Sequence, residues 1–308
     1  MPDTLGADMG AAGETPWHFE RLTLPNGLNM QVARAGGGPL IVMLHGFPEC
    51  WYSWRHQLRA LSADFECAAP DMRGYGGTDA PVGVQNYTME RLVDDVSGLI
   101  HALGRERAIV IGHDWGGAVA WATALMRPEI VERLCVLNCP HPARFLAHLL
   151  RNPRQMMRSW YMLFFQVPYL PDAMLRARGA AMVARAIRST AVNKAAFTDE
   201  DLAHFREAFA RPYSATAAIN YYRALRRRDF LRTPPPDHWL SRKIAAPTLL
   251  IWGEQDVALG KELTYGMEGL FSGPFTLKYI ADSGHWVQQE KPALVNQYLR
   301  EFLADGRG

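Results

Sequence analysis

An aspartate sits between two glycines in Gly112-His113-Asp114-Trp115-Gly116, where an apolar run meets a helical one. That small-x-nucleophile-x-small spacing suits a sharp strand-to-helix turn, which leaves no room for neighbouring Cβ atoms and pushes one side chain outward. Taken alone, Asp114 also reads as an N-cap for the helix that follows. Two later residues favour chemistry. Asp256 follows the apolar run Thr248–Trp252 through Gly253-Glu254-Gln255, and His285 follows Thr276–Ile280 through Asp282-Ser283-Gly284. A histidine in Ser-Gly-His-Trp is as easily structural, but with a carboxylate at the neighbouring strand end it becomes an oriented general base. A carboxylate nucleophile cleaves amides and esters poorly, yet attacks an electrophilic sp³ carbon to form an ester. The substrate class therefore shifts from acyl compounds to epoxides or haloalkanes. A fourth motif, His45-Gly46-Phe47-Pro48, follows the third apolar run. Its Phe47 N–H, with the N–H of Trp115, is the expected oxyanion donor pair. His45 itself is expected to brace the loop.

These residues need strands that end together. Trp17–Thr23 and Leu28–Ala35 read as a hairpin turning at Pro25-Asn26-Gly27. Leu40–Leu44 is a short, continuously apolar run, as expected of a strand buried on both faces of a parallel sheet. Phe65–Pro70, Ala108–Ile111, Leu134–Asn138, Thr248–Trp252 and Thr276–Ile280 read as further strands. Helical patterns separate them: Trp51–Ala63, a helix capped by Thr88, and Ala118–Met126. In the Thr88 helix Leu92, Val96, Leu99 and Ile100 are expected inward, with Arg91, Asp94 and Asp95 outward. Alternating elements imply an α/β fold, a mostly parallel sheet flanked by helices. In such a sheet chemistry gathers at the carboxyl ends of the strands. His45, Asp71, Asp114, Asp256 and His285 all fall there. Between Pro142 and about Pro247 no buried strand is legible, and the stretch is too long for a loop. The expected organisation is a core over 1–142, with 1–16 flexible, a helical cap inserted over 143–240, and the rest of the core over 241–308. Pro234-Pro235-Pro236 reads as a stiff return linker.

Composition narrows the partners. With 48% hydrophobic and 21% charged residues, the 308-residue chain is an ordinary globular protein rather than a disordered one. A net charge of +2 gives no overall electrostatic case for nucleic acid or an anionic membrane surface. The run Arg226-Arg227-Arg228 reads as a solvated helix end. Cys50, Cys67, Cys135 and Cys139 show no metal-site spacing and are expected to be buried free thiols in a reducing compartment. Residues 1–14 lack the basic start and apolar stretch of a signal peptide, and no run of about 18 apolar residues could span a bilayer. A cytoplasmic protein needing no cofactor or metal is expected, as monomer or homodimer.

Four stretches carry a resemblance: His45-Gly46-Phe47-Pro48-Glu49-Cys50-Trp51-Tyr52-Ser53-Trp54-Arg55, Asp71-Met72-Arg73-Gly74-Tyr75-Gly76, Gly112 to Gly117, and Gly284-His285-Trp286. From about residue 17 to 305 the chain resembles the epoxide hydrolases of the α/β-hydrolase fold. The resemblance implies conversion of an epoxide to a diol through a covalent ester on Asp114. It further implies two cap tyrosines that hold the epoxide oxygen and supply its proton. These are Tyr161, in Ser159-Trp160-Tyr161-Met162, and Tyr222, in Asn220-Tyr221-Tyr222-Arg223, with Tyr221 the alternative. Trp51, Met162, Phe164, Phe165 and Trp286 are the expected lipophilic lining. A haloalkane or haloacid dehalogenase is the competing class. It would use Trp115 as a halide donor, but Phe47 stands where those enzymes usually place Asn. Fluoroacetate dehalogenases resemble Asp-Arg-Gly-Gly-Arg at the elbow, where this chain has Trp115 and Ala118. A non-enzymatic binding protein on the same fold would be expected to have a damaged triad.

Overall fold

A computed structural model describes residues 15–149, 151–225 and 237–304. Eight strands form one sheet: β1 (His18–Thr23), β2 (Asn29–Ala35), β3 (Leu40–Leu44), β4 (Glu66–Pro70), β5 (Ala108–His113), β6 (Val131–Leu137), β7 (Thr248–Gly253) and β8 (Phe275–Ile280). Their order is β1-β2-β4-β3-β5-β6-β7-β8. β1 pairs antiparallel with β2, and β2 with β4; all other pairs are parallel. Every residue of β3, β4, β5 and β7 is buried, which explains their unbroken apolarity. The hairpin turns where expected, with Gly27 at φ 84° and its N–H donated to Leu24 O.

After β3 the chain crosses to β4 on one side, then returns to β5 on the other. This reversal opens a crevice at the strand ends, the usual place for a site in an open α/β sheet. The core helices are α1 (Arg55–Leu61), reached through a 3-10 turn at Trp51–Trp54, α2 (Met89–Ala102) and α3 (Trp115–Met126). Two readings of α2 need correction. Thr88 takes the N-cap position but its side chain makes no capping hydrogen bond. Asp95 is buried, not outward, and pairs with Arg73 while accepting from Asn26 Nδ2 at 2.7 Å. Its spacing from Leu92 and Leu99 puts it on the inward stripe, and Arg73 makes that burial tolerable.

Between β6 and β7 the described residues are helical: α4 (Pro142–Leu149), α5 (Pro153–Arg158), α6 (Trp160–Phe164), α7 (Leu170–Thr190), α8 (Asp199–Ala210) and α9 (Ser214–Ala224). α7 is broken at residues 177–180, where the backbone leaves helical geometry. After β8 come α10 (Val287–Glu290) and α11 (Pro292–Ala304). The Arg226–Arg228 run, the proline linker and the expected flexible start through residue 14 lie outside the described residues. All four cysteines are buried and free. Among the described residues no helix is long and apolar enough to cross a membrane.

Candidate active site

Asp114 is the single residue between β5 and α3, and its backbone takes φ 48°, ψ −118°. A non-glycine residue there is strained, and such strain persists only where the surroundings enforce it. The surroundings are crowded. A Cβ on Gly112 would meet Gly116 O at 2.3 Å, and one on Gly116 would meet Leu44 O at 2.1 Å. One on Gly46 would meet the Asp114 Cβ at 2.5 Å. These glycines let β3 and the elbow approach closely. Asp114 Oδ1 accepts the Phe47 N–H at 2.8 Å. Trp115 opens α3, so its N–H has no partner within the helix.

His285 stands on the other side, its Nε2 3.6 Å from Asp114 Oδ2. Its Nδ1 lies 2.7 Å from Asp256 Oδ2, an arrangement in which Nδ1–H donates and Nε2 faces the nucleophile. Burial by itself would lower the His285 pKa, but the Asp256 and Asp114 carboxylates outweigh it and raise the pKa to about 9. Burial disfavours the Asp256 anion, yet His285 and three hydrogen bonds hold its pKa below the usual value. Those bonds come from the Ala258 and Leu259 N–H groups, at 2.8 and 2.9 Å, and from Asn138 Nδ2 at 2.8 Å.

Asn138 was not singled out from the sequence. It is fully buried at φ 40°, just beyond β6, and its Oδ1 accepts the Gly253 N–H at 2.8 Å. The signal was present: it is the polar residue closing the apolar run Leu134–Asn138. Glu49 and His113 were also passed over. Buried Glu49 accepts from Gly46 N at 3.1 Å and Gln289 Nε2 at 2.7 Å, and sits 2.8 Å from His113 Nδ1. His113 Nε2 donates to the His285 carbonyl at 2.8 Å, joining elbow, oxyanion loop and histidine loop. His45 is a brace: one ring nitrogen contacts Gly46 O and the other accepts the Met72 N–H, both at 2.9 Å. Burial lowers its pKa, which suits a neutral ring.

Above Asp114 lie aromatic rings. Tyr222, on α9, packs at ring-centroid distances of 5.0 Å from Trp115, 5.4 Å from Phe47, 5.0 Å from Phe165 and 5.8 Å from Tyr161. Burial first, then the neighbouring Asp114 charge, raises the Tyr161 pKa; for Tyr222 burial and Tyr161 precede Asp114. Both stay protonated donors. The Trp115 and Tyr222 rings meet edge to face. Tyr221 points away, donating its hydroxyl to Arg73 O at 2.8 Å. A residue step of about 100° on a helix accounts for the difference.

The expected lining residues divide. Phe165 joins the cluster, 5.4 Å from Phe47. Trp286 packs 4.7 Å from His285 and donates its indole N–H to Thr190 Oγ1 at 2.9 Å. Met162 is half-buried against the core, and Phe164 contacts Trp160 and Phe165. Trp51 is not brought to the site. It packs on Trp17 and Phe19 of the hairpin, lining a separate cavity of about 610 Å³ with Tyr52, Arg59 and His204. Its place in the His45–Arg55 stretch hid this, because the 3-10 turn after Cys50 carries the chain away from the strand ends.

Known proteins share this fold. A family model for the alpha/beta hydrolase fold matches residues 39–292. "AB hydrolase superfamily protein YfhM" of Bacillus subtilis is 40% identical over 281 residues, covering 90% of this chain and 95% of its own. Human "Epoxide hydrolase 4" is 37% identical over 286 residues, 91% of this chain and 77% of its own. A crystal structure of Bacillus megaterium epoxide hydrolase with an inhibitor superposes with TM-score 0.84 at 29% identity, covering 93% of this chain and 99% of that one. The chain belongs to the α/β-hydrolase fold family and, within it, to the epoxide hydrolase family.

Proposed function

We propose that this enzyme hydrolyses lipophilic epoxides to vicinal diols through a covalent ester on Asp114. The observation that carries the reading is a strained, half-buried carboxylate with an oriented histidine on one side and two protonated tyrosines on the other. Asp114 attacks an epoxide carbon in line, while Tyr161 and Tyr222 hydrogen-bond the oxygen and one of them gives up its proton. The C–O bond breaks as the ester bond forms. His285, oriented by Asp256, then takes a proton from water that attacks the ester carbonyl. The oxyanion is stabilised by the N–H groups of Phe47 and Trp115. The diol leaves with one oxygen from the carboxylate, and Asp114 keeps one from water. In this scheme residues 143–240 act as the cap over a core built from 1–142 and 241–308.

Dehalogenation would want a second halide donor beside Trp115, and position 47, where those enzymes usually place Asn, is Phe. A pure binding role is disfavoured by the undamaged triad, in which His285 is hydrogen-bonded to Asp256 and lies 3.6 Å from Asp114. The test is a panel of styrene-type and fatty epoxides against 1-bromobutane and fluoroacetate, without added cofactor. Diol formation should dominate. Faster halide release than diol formation from every epoxide would overturn the assignment.

A further inference from the structure

The α5–α6 segment is amphipathic in an unusual sense. Its inner stripe, Gln155, Ser159 and Phe165, is buried, and Tyr161 beside it faces the site. Its outer stripe is also apolar yet lies in solvent: Met157 is 75% exposed, Trp160 62% and Leu163 76%. The apolar surface continues past α6 through Val167, Tyr169 and Leu170 to Met174 on α7, all exposed. Across the seam, Gln155 Nε2 donates to Ala258 O at 2.9 Å, which brings exposed Val257 of the Asp256 loop alongside. A run of exposed large side chains like this marks an interaction surface rather than ordinary scatter.

Charge on the same segment selects the partner. From the start of α5 to the break in α7, residues 153–178 contain four arginines, at 154, 158, 176 and 178, and one acid, Asp172. Asp172 is buried and paired with Arg223, so it presents little negative charge. Among the described residues Glu262 also faces the segment, engaged by Asn152 and Arg158. The net charge of +2 for the whole chain conceals this local excess. Arginines interleaved with Trp, Leu and Met are the chemistry of a surface that seats in the headgroup region of an anionic bilayer.

We infer that the exposed face of the α5–α7 segment docks on anionic lipid membranes, with its arginines on the headgroups and Met157, Trp160 and Leu163 in the acyl boundary. Docked there, the helix that carries Tyr161 separates lipid from the catalytic crevice. An apolar epoxide dissolved in the bilayer would then reach the site without crossing water. Delivery rests on the proposed activity; docking does not.

The experiment uses the full chain with vesicles of phosphatidylcholine, with or without phosphatidylglycerol, and no substrate. The protein should sediment with phosphatidylglycerol-containing vesicles at low salt, and less at high salt. The double variant Met157→Ser/Leu163→Ser should partition at least about tenfold more weakly, since binding scales with inserted apolar area. Its melting temperature and its turnover of water-soluble styrene oxide should be unchanged, because both side chains are exposed. Absence of sedimentation, or equal sedimentation of the variant, overturns the inference. So does light scattering that shows a dimer dispersed by the double variant without any vesicle binding, which would make this face an interface between copies. Sedimentation with no epoxide turnover would leave docking standing and remove the proposed activity instead.

Discussion

The two halves of the candidate site are held in different ways. Below, Asp114, Asp256 and His285 are fixed by backbone N–H groups, by Asn138 and by glycines that admit no Cβ. Above, Tyr161 and Tyr222 are held mainly by rings: Phe47, Phe165, Trp115 and each other. Buried charge is costly unless it is hydrogen-bonded, so the lower half is held by directional hydrogen bonds. A phenol that stays neutral needs only packing and one free O–H direction, so the upper half can repack around different substrates. Electrostatics belong to the sheet, and adaptation to the helices.

The largest effects should come from breaking the lower half. Asp114→Ala should reduce diol formation at least about 10⁴-fold, as expected when a covalent nucleophile is removed. His285→Gln should still be alkylated but should stall, and intact-mass spectrometry should show one substrate added. A His285→Gln variant that folds yet never carries the adduct would separate His285 from this role.

The upper half should yield smaller losses. Tyr161→Phe and Tyr222→Phe should each slow ring opening about 10- to 100-fold in single-turnover kinetics, with ester hydrolysis little changed. Two tyrosines share one oxygen, so neither loss is complete. An effect above that range, equal to loss of Asp114, would mean that this half is not the forgiving one.

The contrast sharpens with pH. His285 is raised from 6.5 to about 9, so its protonated form adds stability fully below pH 6.5 and loses it as pH climbs through 9. Ester formation removes the Asp114 charge, one of the interactions that raise this pKa. The base in the alkyl-enzyme should therefore titrate below 9. Stopped-flow ester decay should accelerate with pH and level off before pH 9. Decay that slows as pH rises would contradict the base role.

The lower half was legible in the sequence because strand ends punctuate it. Asp114 and Asp256 each follow a strand buried along its whole length, which leaves an unbroken apolar run, and His285 follows the next strand in the chain. Asn138 followed the same rule yet went unread, because an amide suggests structure before chemistry. Asp95 was misjudged because polarity was taken as exposure, whereas its partner Arg73 lies 22 residues away in sequence. Trp51 was grouped with the lining by its neighbours in the chain, which say nothing of where a 3-10 turn leads. On α9, helical period alone could not separate Tyr221 from Tyr222. Only the packing of that helix aims one hydroxyl at Arg73 O and sets the other ring against Phe47, Phe165 and Tyr161.

Tyr221→Phe should give the smallest kinetic effect. It leaves Arg73 O, a buried acceptor, unsatisfied and should cost about 1–3 kcal/mol of stability. Denaturant unfolding should register that loss while turnover stays near wild type. A kinetic defect here matching Tyr222→Phe would exchange the two roles.

The covalent step is tested most directly by the fate of one oxygen. With enzyme in excess over epoxide, a single turnover is run in ¹⁸O-water, and both diol and protein are analysed by mass spectrometry. If water attacks the ester carbonyl, the label appears on Asp114 and the first diol carries unlabelled oxygen. Labelled diol in that first turnover, with unlabelled Asp114, would mean that water opened the ring directly and that Asp114 is not the nucleophile.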